Sequence, residues 1–135
     1  GKISSFYMLE EDSSYSNLTY EGLSPGWHTI TLTFDKEFAK LYVDGILKTY
    51  NNTNGRSIIY PYNNALLIGV ESSVNSTPDT SEAGFFKGKV SNLSIYDKSL
   101  TEKEVKELVD YNDIMLNLDF TGKTNNSLPF CIFLS

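Results

Sequence analysis

Leu41-Tyr42-Val43-Asp44-Gly45-Ile46-Leu47-Lys48 is the stretch that most restricts how this chain folds. An Asp-Gly pair between two β-prone runs favours a two-residue primed turn, because that turn's twist matches the twist of the strands it joins. Residues 39 to 50 are therefore predicted to form a β-hairpin. Just upstream, Ile30, Leu32 and Phe34 alternate with Thr29, Thr31 and Thr33. A period of two with β-branched residues in both sets marks a strand over His28 to Asp35, with an apolar face and a polar face. Ser24-Pro25-Gly26 supplies the turn before it, and the chain enters the strand through Trp27.

The remaining pattern is mostly of the same kind. Ala65 to Val70 is almost continuously apolar, as in a central strand covered on both faces, and Gly69 suggests a bulge or a close backbone approach. Phe85 to Asp97 reads as a long strand in which Val90 is out of step with Leu93 and Ile95, so a bulge is expected near Ser91 and Asn92. Ile114, Leu116, Leu118 and Phe120 alternate again, giving a further strand. One helix, near 101–111, is marked by Thr101 as N-cap with Glu104 three residues on, and by Leu100 and Val105 at the positions of a hydrophobic staple. Between the strands, 71–84 is polar and reads as a long surface loop. The tail, 122–135, turns apolar at Leu128 to Leu134 and is expected either to add a last strand or to contact another chain. The class is all-β with one short helix.

Charge and size exclude several functions. Eleven Lys and Arg against 17 Asp and Glu give a net charge of -6, with the lysines scattered singly. Nucleic acid is not the expected partner, because affinity for phosphate backbones comes from clustered cations. No apolar run approaches the ~20 residues that span a bilayer, so no membrane insertion is expected, and Gly1 to Glu10 lacks a basic-then-apolar leader pattern. The single cysteine, Cys131, allows neither an internal disulfide nor a cysteine metal cage. A chain of 135 residues buries about two-thirds of its unfolded surface, enough for one core.

The ordered series Gly26-Trp27-His28, Ile30, Leu32, Phe34, then Leu41-Tyr42-Val43-Asp44-Gly45, Leu67-Ile68-Gly69, Phe86-Lys87-Gly88-Lys89-Val90, Leu93, Ile95-Tyr96, Leu100-Thr101 and Glu104-Val105 resembles the laminin G-like branch of the concanavalin A-like lectin and glucanase superfamily. The resemblance covers about residues 24 to 110. It implies an antiparallel jelly-roll β-sandwich over 1–121, used for recognition of glycans or protein partners. The front departs from the pattern, since only about two dozen residues precede Trp27 where the family usually places several strands. Ile114 to Phe120 is similar to the opening strand of such domains. An unfilled sheet edge must be covered, so contact with another chain or with a missing part of the same domain is expected.

The enzymatic branch of that superfamily cleaves glycans with two carboxylates facing each other across the scissile bond. No predicted strand here alternates acidic residues: Glu10, Glu11 and Asp12 are consecutive, and Glu102, Glu104 and Glu107 fall on the helix. The expectation is no catalytic activity. His28, the only histidine, lacks a triad or zinc partner in the pattern and is given a structural role. The family pattern places Trp27 in the core. Calcium is the one cofactor the resemblance implies, held between loops at the sandwich edge, where Glu71, Asp79 and Glu82 with backbone carbonyls of 71–84 could supply oxygens. Their spacing fits no fixed motif, and solvation of a long loop is the reading those acids otherwise support.

Nine Tyr and eight Phe against one Trp suit a recognition surface, since a tyrosine ring offers a flat apolar face with a hydroxyl. Tyr60 and Tyr62 around Pro61, Tyr15 and Tyr20 near the start, and Asn52 and Asn54 in the polar turn after the hairpin are the ligand-binding candidates. The expected function is a non-catalytic module binding a glycan or a protein receptor outside the cell, at a cell surface or on a virion. The other class is a structural module for assembly, such as a phage fibre, a capsid decoration or an inter-domain spacer.

Overall fold

A computed structural model describes residues 1–12, 15–59, 67–70, 86–110 and 132–134 of the chain. Two compact units are present, one formed by Gly1–Ile59 with Asn92–Ser135 and the other by Tyr60–Ser91. The first unit carries the named elements: β1 (Lys2–Tyr7), β2 (Ser16–Glu21), β3 (Ile30–Phe34), β4 (Phe38–Val43), β5 (Ile46–Asn52), β6 (Leu93–Ile95), α1 (Glu102–Asp110) and β7 (Ile132–Leu134). β1 and β2 pair with each other, and the other five strands form one antiparallel sheet in the order β5-β4-β3-β7-β6.

The alternation explains the layering. Ile30 and Phe34 of β3 and Ala39, Leu41 and Val43 of β4 project from one face of the five-stranded sheet. They meet Leu18 of β2 and Leu9, with Ile3, Tyr7 and Tyr20 packed at the margin. Tyr7 sets its ring edge-on against Phe34 at 5.5 Å between centroids. The opposite face of the same sheet buries Tyr42 against Leu100 and Val105, with Leu47, Tyr96 and Leu108 around them. The central sheet is thus covered by the β1–β2 pair on one side and by α1 on the other.

α1 starts as its sequence signals predict. The Thr101 N–H donates to Glu104 Oε2 at 2.8 Å, the Thr101 hydroxyl donates to the same oxygen at 2.9 Å, and the Glu104 N–H donates back to the Thr101 hydroxyl at 3.3 Å. Leu100 and Val105 are both buried, as a staple requires. The hairpin turn is also as expected, with φ of 52° at Asp44 and 73° at Gly45. Glycine is needed there twice over: a Cβ on Gly45 would stand 3.2 Å from Val109 Cγ2 and 3.3 Å from the Lys106 Cα, so the turn sits directly on α1.

Several expectations are corrected. The first 23 residues contain a hairpin, β1 with β2, that the apolar pattern hides: Ser5 lies on the inward-facing row while Phe6 lies exposed on the outward one. β3 is buried on both faces rather than one, because the β1–β2 pair covers one side of its sheet and α1 the other, and Thr29, Thr31 and Thr33 are all buried. Residues 67–70 form no regular strand. Gly69 has a φ of 75°, outside the extended region, its carbonyl accepts the Phe86 N–H at 2.9 Å, and Ile68 is exposed. The long strand expected over Phe85 to Asp97 is reduced to β6, since Asn92 in the left-handed region at φ 52° breaks the extension where the phase slips. It is a break and not a bulge, because 86–92 form no strand. β7, from the apolar tail, pairs within its own chain between β3 and β6, placing Leu134 opposite both Ile30 and Leu93. The strand expected over Ile114 to Phe120 lies outside the described residues.

Candidate functional site

β4 and β5 place two contrasting sets of groups at the hairpin's two ends. Near the turn, Val43 pairs with Ile46 and Tyr42 with Leu47, and then the register shifts, so that Leu41 meets Thr49, Lys40 meets Tyr50 and Phe38 meets Asn52. One extra residue on β5 makes this a β-bulge. Its consequence is that Phe38, Lys40, Tyr50 and Asn52 share a face, the one that carries Tyr42 under α1 further along. α1 covers Tyr42 and Leu47 and no described residue packs Tyr50 into a core, so its ring is 58% exposed. Phe38 and Tyr50 meet edge-to-face at 5.6 Å, and the Lys40 ammonium lies 5.2 Å from the Phe38 ring centroid.

The turn that follows β5 adds amide groups to this face. The Asn54 N–H donates to Asn52 Oδ1 at 2.6 Å, an Asx turn that sets Asn54 at φ 53°. The Asn52 amide nitrogen and the Asn54 side chain make no other hydrogen bond among the described residues. The turn is fixed from beneath by Thr53, fully buried, whose N–H donates to the Glu37 carbonyl at 2.9 Å and whose hydroxyl donates to the Asp35 carbonyl at 3.2 Å. Asp35 in turn accepts the N–H groups of Glu37 and Phe38 at 2.7 and 2.6 Å. The aromatic pair and the two amides are therefore held by rigid backbone on both sides.

Of the residues singled out in the sequence, Asn52 and Asn54 belong to this face. Tyr15 is 71% exposed just before β2; it lies at the same end of the sandwich, because the Asn51 amide donates to the Tyr7 hydroxyl at 2.9 Å and to the Asn17 carbonyl at 2.8 Å, but it belongs to the other layer. Tyr20 is half-buried rather than exposed: it packs at the core margin, with the Lys48 ammonium 5.1 Å from its ring centroid. Tyr60, Tyr62, Glu71, Asp79 and Glu82 lie outside the described residues. Among the described residues no three His, Cys, Asp or Glu side chains gather to hold a metal ion, and no helix is long and apolar enough to cross a membrane. Phe38 and Tyr50 were missed by the sequence reading, although the Phe38-Lys40-Tyr42 alternation was visible in it.

The turn end is organised differently. His28 Nδ1 lies 2.8 Å from Asp44 Oδ2, and its Nε2 lies 2.9 Å from the Ser24 carbonyl and 3.1 Å from the Ser24 hydroxyl. Asp44 Oδ1 accepts the Thr29 N–H at 2.9 Å, while the Asp44 N–H donates to the Thr29 carbonyl at 2.8 Å. The Asp44 carboxylate beside the ring, followed by the Ser24 carbonyl, raises the His28 pKa above its ordinary 6.5. His28, expected to lack such partners, thus has a Ser and an Asp side chain on its two nitrogens, and the contacts tie the segment before β3 to the hairpin turn. Trp27, expected in the core, is 62% exposed on that segment. Gly26, at φ 139°, turns the backbone just before it.

A laminin G-like family model, described as Concanavalin A-like lectin/glucanases superfamily, matches residues 6–106. The chain belongs to this superfamily. The match spans most of the chain and contains both ends of the hairpin, so the laminin G-like domain includes the aromatic face as well as the His28 contact. Its antiparallel sheets with one short helix are those of a concanavalin A-like sandwich. No curated protein and no solved structure matches this laminin G-like chain.

Proposed function

We propose that this laminin G-like domain is a non-catalytic recognition module that binds a glycan on the face formed by Phe38, Lys40, Tyr50, Asn52 and Asn54. The observation that carries the reading is the exposed Tyr50 ring, braced edge-on by Phe38, beside two asparagine side chains with amide groups left for a ligand. A sugar presents an apolar C–H face together with hydroxyls, and an aromatic ring flanked by amides complements both. Such a module works outside the cell, on a cell surface or a virion, and calcium bound through Glu71, Asp79 and Glu82 would be its cofactor.

A glycan array probed with the wild-type chain and with Tyr50→Ala, each with and without EDTA, tests this. The expected result is a set of hits that Tyr50→Ala weakens by about tenfold or more, a cost of about 1.4 kcal/mol or greater. Loss of signal with EDTA would assign calcium a part. One observation favours the second reading, an assembly module: Phe6 is exposed on the outward row of β1, an apolar group suited to another protein surface. A blank array under all conditions, with concentration-dependent oligomers abolished by Phe6→Ser, would replace the glycan reading with that one.

A further inference from the structure

We propose that Ser24, His28 and Asp44 form a proton-operated latch that sets the posture of the Trp27 segment. The geometry around the ring is the basis. Asp44 Oδ2 accepts from Nδ1–H at 2.8 Å, and at Nε2 two groups of Ser24 compete, the carbonyl at 2.9 Å and the hydroxyl at 3.1 Å. With both nitrogens protonated, Nε2–H donates to the Ser24 carbonyl and the imidazolium bridges two acceptors. Once Nε2 loses its proton, its lone pair faces that carbonyl oxygen and repels it. The Ser24 hydroxyl then becomes the donor to Nε2. The contact survives, but its partner changes from backbone to side chain, which frees the Ser24-Pro25-Gly26 backbone that carries Trp27.

The groups around the latch fix the direction of the response. Asp44, from the hairpin turn, and the Ser24 carbonyl favour the charged ring; opposing them are the partial burial of the ring and, more weakly, the Gly1 ammonium. Asp44 prevails because it is in direct hydrogen bond with the ring. The raised value in the folded state means that the latch contributes fully below pH 6.5 and is released as pH rises through the folded His28 value. Trp27 is the only tryptophan and is 62% exposed, so a change in its posture alters the surface at the turn end. A surface closed at lower pH and loosened at higher pH is the consequence.

The chain has one histidine and one tryptophan, so both partners are read in the intact protein without labelling mutations. The imidazole proton resonance of His28 and the acrylamide accessibility of Trp27 fluorescence are followed across pH 5 to 9. The expected result is a shared midpoint above 6.5, with Trp27 more accessible on the alkaline side. Asp44→Asn lowers the His28 midpoint, and Ser24→Ala raises it, because the neutral ring loses its donor. His28→Gln abolishes the Trp27 transition. Asp44 also holds the Thr29 N–H, so if Asp44→Asn does not fold, Ser24→Ala and His28→Gln decide alone. A His28 midpoint at or below 6.5, a flat Trp27 profile, or a Trp27 transition that persists in His28→Gln overturns the latch.

Discussion

The two ends of one hairpin differ in where their polar groups are used. At the turn, both Asp44 carboxylate oxygens, its N–H and both His28 nitrogens have partners within the chain, and Gly45 touches α1. At the open end, the Tyr50 ring is exposed and the Asn54 amide has no partner among the described residues. A region that satisfies its own groups stabilises the fold, whereas one that holds its groups in fixed positions without internal partners is arranged for something else. Strands β4 and β5 run through both, so one core supports a structural end and a candidate binding end.

Removing that shared support gives the largest effect. Leu41 is completely buried at the centre of β4, and Leu41→Ala is expected to cost about 2–5 kcal/mol through lost transfer energy and the cavity left behind. Urea unfolding at unchanged slope reads the loss, and glycan binding and the latch should weaken together. Gly45→Ala acts on the turn end alone. A side chain at φ 73° is left-handed and meets Val109 and Lys106, so about 1–2 kcal/mol is expected to be lost while ligand affinity per folded molecule is unchanged. If Gly45→Ala altered binding as strongly as stability, the two ends would not be separable.

α1, which covers the sheet near the turn, is expected to respond less. Thr101→Ala removes the N-cap and should cost about 1 kcal/mol. The Glu104 carboxyl is held down to about 2 by Lys98 and by the N–H and hydroxyl of Thr101. A depressed carboxylate stabilises the fold above its ordinary pKa of 4.5, and that contribution is lost as pH falls from 4.5 toward 2. Glu104→Gln should therefore flatten the stability profile between those limits. A wild-type profile as steep as that of the variant would show that the capping box does not anchor the helix.

Much of this architecture was legible because local chemistry and the final structure agree. Asp44-Gly45 specified the turn, Thr101 with Glu104 the helix start, and the β3 alternation the core face. Of the candidate site, Asn52 and Asn54 were legible as a polar turn, but their union with Phe38 and Tyr50 was not, because it depends on one residue of register. Continued without interruption past Tyr42 and Leu47, the pairing would put Lys40 opposite Thr49 and Phe38 opposite Asn51, sending Tyr50 and Asn52 toward the core. The bulge after Leu47 exchanges the faces, and nothing in Ile46 to Asn52 announces it. The exposed position of Trp27 escaped for a different reason: the resemblance, not the residues around it, placed it in the core, and the His28–Asp44 contact that holds the segment is not visible in the sequence.

The smallest expected effect separates the two ends most sharply. Asn54 occupies the left-handed region at φ 53°, where glycine sits without steric penalty, and the Asx turn that positions it is donated by its own backbone N–H to Asn52. Asn54→Gly therefore removes the side-chain amide while leaving the turn, and stability should stay within about 0.5 kcal/mol of wild type. Affinity for a glycan that uses that amide should fall about 2- to 10-fold, the worth of one net hydrogen bond. Paired thermal unfolding and titration with a glycan found on the array would measure both. Equal small losses in stability and affinity would make Asn54 part of the scaffold, whereas a loss of affinity alone makes the open end a site whose groups are held ready by a fold that does not need them.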